Sequence, residues 1–140
     1  MLKEFRMAVG AQAGDVEKVN AVFARFAETY DLPGSVRRSV NVALDELLAN
    51  ELSHGMAGRD TGSVTVEVEL NQERVKVTIT DDGPRFDPFS QAPPDTTLPI
   101  DERAIGGLGI HLVRQLMDDV SYERRDGHNV VVLVKRLVVG

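Results

Sequence analysis

The chain has 140 residues, 42% of them hydrophobic, which is close to the usual size of one domain and enough to bury one core. It contains no cysteine, which excludes disulfides, thiolate metal sites and a cysteine nucleophile, and its 16 basic against 22 acidic residues argue against a nucleic-acid surface. The opening MLKEFRMAVG carries no signal-peptide segment and no run is long enough to span a bilayer, so the expectation is one cytoplasmic domain over residues 1–140, without membrane contact.

Residues 3–9 put Phe5, Met7 and Val9 on alternate positions, the pattern of an edge or partner strand with one buried face. Asp15 suits a helix N-cap, and Val16, Val19, Val22, Phe23, Phe26, Ala27 and Tyr30 recur at spacings of three and four, predicting an amphipathic helix over 15–30. Residues 31–34 break it. A second helix, over 35–55, buries Val36, Val40, Ala43, Leu44, Leu47 and Leu48 and carries Glu46, Asn50 and Ser53 along one edge, with His54 beside them. A carboxylate and a carboxamide one turn apart can share a water, hold a divalent cation or orient a hydroxyl. Glu51 projects toward the apolar face, where its position alone assigns it no role.

Val64, Val66, Val68 and Leu70, then Val75, Val77 and Ile79, alternate with polar residues across the turn 71–73, predicting an antiparallel hairpin with one wet face. It ends in DDGPRFDP, rich in turn formers and acids. Residues 88–104 hold four of the six prolines and little periodicity, as in a disordered segment or a functional lid. Gly106, Gly107, Leu108 and Gly109 then open a helix through Ile110, Leu112, Val113, Leu116 and Met117, whose N-terminal amides and dipole suit a phosphate. Asp118 and Asp119 read as a helix-end turn, Val120 and Tyr122 as a strand, Asp126-Gly127 as a hairpin turn, and 130–139 as an apolar strand buried on both faces. His54, His111 and His128 lack metal-ligand spacing.

A helix bearing Glu46 and Asn50, a strand ending in Asp81-Asp82-Gly83, and a glycine-rich helix entry follow in that order. With these motifs the chain closely resembles the Bergerat-fold ATP-binding domains shared by gyrase and histidine kinases, and within them the stand-alone anti-sigma factor serine kinases. ALDELLANELSHG matches the family's asparagine box, DDGPRFDP its first glycine box and GGLGIHLVRQLMDDV its second. The resemblance implies an α/β, or α+β, two-layer sandwich: a mostly antiparallel sheet covered on one face by helices, with an ATP lid between the glycine boxes. It implies ATP and Mg²⁺ as cofactors, with Asn50 coordinating the cation and Glu46 acting as base toward the attacking hydroxyl. Asp81 would accept a hydrogen bond from the adenine amino group and Gly83 would let the backbone approach the base. Gly106, Gly107, Leu108 and Gly109 would bind the phosphates, and Arg103 would reach them from the lid. The implied activity is phosphorylation of a serine or threonine on a small antagonist protein, with a sigma factor or another regulator as second partner; the family often works as a dimer.

Two positions depart from the family pattern. Arg85 stands where the first glycine box has a second glycine, and Asn129 where the last hairpin often has a threonine near the adenine. The Arg85 departure motivates an alternative, a nucleotide-binding switch that binds regulatory partners without phosphorylating them.

Overall fold

The computed structural model describes residues 2–10, 14–51, 64–90 and 107–137. Five strands, β1 (Lys3–Val9), β2 (Val64–Leu70), β3 (Arg74–Asp81), β4 (Asp119–Arg125) and β5 (His128–Arg136), form one sheet in the order β1-β2-β3-β5-β4. Every neighbouring pair is antiparallel. Three helices lie among the described residues, α1 (Asp15–Thr29), α2 (Gly34–Asn50) and α3 (Gly107–Leu116). They cover one face of the sheet, giving the expected two-layer sandwich.

The alternation of side chains along a strand decides this sidedness. Val64, Val66 and Val68 of β2, Val75, Val77 and Ile79 of β3, and Val131 and Leu133 of β5 are all buried, as are Val19 and Phe23 of α1 and Val40, Leu44, Leu47 and Leu48 of α2. The intervening residues point the other way. Thr65, Glu67, Glu69, Lys76, Thr78 and Thr80 are half-buried there, with ion pairs such as Lys76 to Glu69 at 3.9 Å. No helix among the described residues is long and apolar enough to cross a membrane.

Three expectations need correction. β5 ends at Arg136 and is not buried on both faces: Val130, Val132 and Val134 are only half-buried, while residues 138–140 lie outside the described segments. A run of valines suits a pleated surface whether or not both sides are covered, so apolarity alone overstated the burial. Asp15 is not the N-cap of α1; Gly14 holds that position at φ 91°, and Asp15 begins the helix with a 3.3 Å ion pair to Lys18. An acid in the first turn still complements the helix dipole. The second helix begins at Gly34, directly after Pro33, and Glu51 remains helical at φ −59° and ψ −45°. Its expected end near residue 55 lies outside the described residues.

The turns follow from local chemistry. Asn71 accepts the backbone N–H groups of Glu73 and Arg74 at 2.8 and 2.9 Å, closing the β2–β3 hairpin. Asp126 at φ 51° and Gly127 at φ 78° form the tight turn between β4 and β5, which needs two left-handed residues. Leu44, fully buried where α2 crosses the sheet, tests the packing: Leu44→Ala should lower the unfolding free energy by about 3 kcal/mol in a urea titration. A loss below about 1 kcal/mol would place Leu44 outside the core.

Candidate functional site

Helical geometry places the polar edge of α2. With Ala43, Leu44, Leu47 and Leu48 turned into the core, Glu46 and Asn50 fall one turn apart on the rim, each half-buried. α3 packs beside α2 and presents Gly109 to that rim. The approach is very close: a Cβ built on Gly109 would collide with the Glu46 carboxylate, standing 2.6 Å from Cδ and 3.3 Å from Cγ. Only glycine allows the carboxylate to rest on the backbone here. Glu46 is thus held at the first turn of α3, where backbone amides lack partners within the helix and the dipole is positive.

A second cluster forms where β3 ends. Asp81 is 2% exposed, and its Oδ1 accepts the Gly83 N–H at 2.8 Å and the Asn129 Nδ2 at 2.9 Å. Glu51, 8% exposed at the end of α2, hydrogen-bonds to the same Asp81 side chain. Burial first, then that hydrogen bond and the Asp81 charge, push the Glu51 carboxyl from 4.5 up to about 9. Glu51 therefore carries a proton at neutral pH and serves as the donor between the two carboxyl groups. Projection onto the apolar face hinted at its burial; its partner lies thirty positions away and left no local signal.

The loop after β3 is fastened to the β4–β5 hairpin. Asn129 Nδ2 also donates to the Pro84 carbonyl at 2.8 Å, its Oδ1 accepts the Phe86 N–H at 3.2 Å and the Tyr122 hydroxyl, and Arg124 donates to the Gly83 carbonyl at 2.7 Å. Arg85 is exposed. Beyond it Asp87 caps a turn through the Phe89 N–H at 2.8 Å, and buried Phe89 sits 5.3 Å beneath the Arg114 guanidinium, which also donates to its carbonyl.

Of the residues named from sequence, Glu46 and Gly109 meet directly, Asn50 shares the Glu46 edge, and Asp81 and Gly83 meet at the end of β3. Gly107 and Leu108 form the start of α3. Arg103, Gly106, Ser53, His54 and most of the expected lid lie outside the described residues. His128 is exposed, its Nδ1 2.9 Å from the Asp126 carbonyl. Tyr122 and Arg124 were not singled out from sequence, since nothing local separates them from other strand residues.

The Glu51 carboxyl gives the fold a pH dependence. Its folded pKa, about 9, lies above the ordinary 4.5, so the unfolded chain releases a proton that the folded chain keeps. The resulting stability is fully present below pH 4.5 and is lost as the pH climbs through about 9. Glu51→Gln keeps a donor toward Asp81 and cannot ionise. It should melt above the native protein at about pH 8, with the gap closing toward about pH 4.5, and a gap that ignores pH would contradict the assignment.

Comparison with known proteins extends the same picture. The histidine kinase-like ATPase domain family matches residues 9–135. The chain is 32% identical over 97 residues to the serine-protein kinase RsbW of Listeria monocytogenes serotype 4a, covering 66% of this chain and 62% of that one. It is 30% identical over 98 residues to the serine/threonine-protein kinase BtrW of Bordetella bronchiseptica, covering 70% and 69%. The anti-sigma F factor of Clostridium beijerinckii is 31% identical over 99 residues, covering 69% and 68%. The chain thus spans less than two thirds of the length of the RsbW relative. Among solved structures, the RsbU and RsbW domains of Rv1364c from Mycobacterium tuberculosis share the fold at a TM-score of 0.70 and 16% identity, covering 99% of this chain and 33% of that one. The catalytic domain of histidine kinase ThkA does so at 0.52 and 14%, covering 98% and 97%. A helix edge bearing Glu46 and Asn50, a buried aspartate ending β3 and a glycine-opened helix are built into one antiparallel sheet, and the match runs almost end to end: this chain belongs to the histidine kinase-like ATPase domain family.

Proposed function

We propose that the chain is an ATP-dependent protein serine/threonine kinase of the anti-sigma factor type, acting in the cytoplasm. Its substrate is a serine or threonine on a small antagonist protein, and through that antagonist it regulates a sigma factor or a similar regulator. The observation that carries this reading is the Glu46 carboxylate resting on Gly109 at the start of α3, which brings a base to the place where a helix N-terminus receives phosphate. Relatives named as serine-protein kinases and as an anti-sigma factor support it.

Each residue then has a task. Asp81 accepts the amino group of adenine, and the amides of Gly107, Leu108 and Gly109 take phosphate oxygens. Glu46 receives the proton of the attacking hydroxyl as its oxygen bonds to the γ-phosphorus; the bond from that phosphorus to the β–γ bridging oxygen breaks, and ADP leaves with the electron pair. The donor set on the α2 rim also fits Mg²⁺, because Asn50 supplies a hard carboxamide oxygen one turn from Glu46 and Gly109 puts no side chain between them and α3. Bound by Asn50, the cation would neutralise charge on the transferring phosphoryl group. Arg103 remains a proposed lid contact to the phosphates.

Two measurements test the reading. Mg-ADP at about a hundred times its dissociation constant should stabilise the native protein by about 2.7 kcal/mol, a melting shift of several degrees that Asp81→Asn loses. Glu46→Ala should keep that shift and lose phosphate transfer to the antagonist by about a hundredfold or more. Gly109→Ala, which must displace the Glu46 carboxylate, should also lose transfer. Nucleotide-dependent partner binding with no phosphate on any partner would instead support the non-catalytic switch.

A further inference from the structure

The register of β3 and β5 sets Asn129 directly opposite Asp81. Asn129 is 1% exposed, and its amide is fully used: Nδ2 donates to Asp81 Oδ1 at 2.9 Å and to the Pro84 carbonyl at 2.8 Å, while Oδ1 accepts the Phe86 N–H at 3.2 Å and the Tyr122 hydroxyl. A carboxamide has two donor hydrogens and two acceptor positions, so none remains for a ligand. Asn129 therefore cannot replace a direct base contact. What it can do is hold the groups that make one.

It holds two kinds of group. Asp81 Oδ1 is fixed between the Asn129 Nδ2 and the Gly83 N–H, so the carboxylate cannot turn without breaking buried hydrogen bonds. The backbone on either side of Arg85 is tied through the Pro84 carbonyl and the Phe86 N–H, and Arg124 adds the Gly83 carbonyl at 2.7 Å. The loop is thus gripped from the β4–β5 hairpin at three backbone points, around the position where the family has a second glycine.

We propose that Asn129 is a positioning residue that sets base selectivity, acting through Asp81 by presenting its carboxylate as an immobile acceptor for an exocyclic amino group. This rests on the nucleotide-binding reading above. A fixed carboxylate accepts from the 6-amino group of adenine and repels the 6-oxo group of hypoxanthine; IDP differs from ADP at this edge by that oxo group and by the proton N1 gains with it, which a carboxylate freed to turn can reach. A carboxylate freed to turn discriminates less.

The test is titration of the native protein, Asn129→Ala and Tyr122→Phe with Mg-ADP and Mg-IDP, together with amide hydrogen exchange at Gly83 and Phe86 without nucleotide. The native protein should favour ADP by about tenfold or more, Asn129→Ala should narrow that ratio to about threefold or less, and both amides should exchange faster in the variant. Tyr122→Phe, which removes one of the two donors that hold the Asn129 carboxamide and so loosens Asn129 against Asp81, should narrow the ratio in the same direction; it carries the test if Asn129→Ala does not fold. A merely structural role would lower stability and leave the ratio alone. An unchanged ratio in the folded variants, with native ADP binding intact, overturns the inference, whereas a native protein that binds neither nucleotide overturns the nucleotide reading with it.

Discussion

A carboxylate taken almost wholly out of water at the end of β3 is the constraint around which the site is built. Asp81 is 2% exposed, and a charge buried to that degree costs several kcal/mol unless donors surround it. Gly83, Asn129 and Glu51 meet that need from three directions: the turn following β3, the neighbouring strand β5 and the end of α2. Satisfying one side chain therefore ties together the sheet, the loop and the helix that carries Glu46 and Asn50.

The two halves of the site are joined by α2. Its apolar side, centred on Leu44 and Leu48, is pressed onto the sheet, which leaves Glu46 and Asn50 no freedom except to line the rim toward α3. At the near end of that rim the Glu46 carboxylate lies on Gly109; at the far end the Glu51 carboxyl lies on Asp81. Less than two turns of helix separate the residue proposed for proton transfer from the residue that contacts Asp81. A shift of α2 along its axis would move both together, so its packing on the sheet also sets where Glu46 meets Gly109 and where Glu51 meets Asp81.

Much of this was legible in the sequence because it is periodic or compositional. Alternating valines marked β2 and β3, the three-and-four spacing marked α1 and α2, Asp126-Gly127 marked the last turn, and the ordered boxes marked the family. The closeness of Glu46 to Gly109 was legible only through the resemblance, since the two residues lie far apart in the chain. What could not be read was pairing between distant polar groups. Glu51 had no role assigned until its proton and its partner Asp81 were seen, and Asn129 was only a departure from the family's threonine until the strand register set it opposite Asp81. The valines of β5 misled for a different reason: strand propensity and two-sided burial favour the same residues, so a run of them does not say how many faces are covered.

The central claim, that the rim of α2, the end of β3 and the start of α3 form one nucleotide site, is tested most directly by titrating Mg-ADP into isotopically labelled protein and following backbone amide resonances. The account predicts that the largest changes gather at Glu46 to Glu51, at Asp81 to Phe86 and at Gly107 to Gly109, saturating with a single dissociation constant. Changes centred instead on the opposite end of the sheet, around Gln72, Arg74 and Asp118, or no changes at millimolar nucleotide, would contradict it.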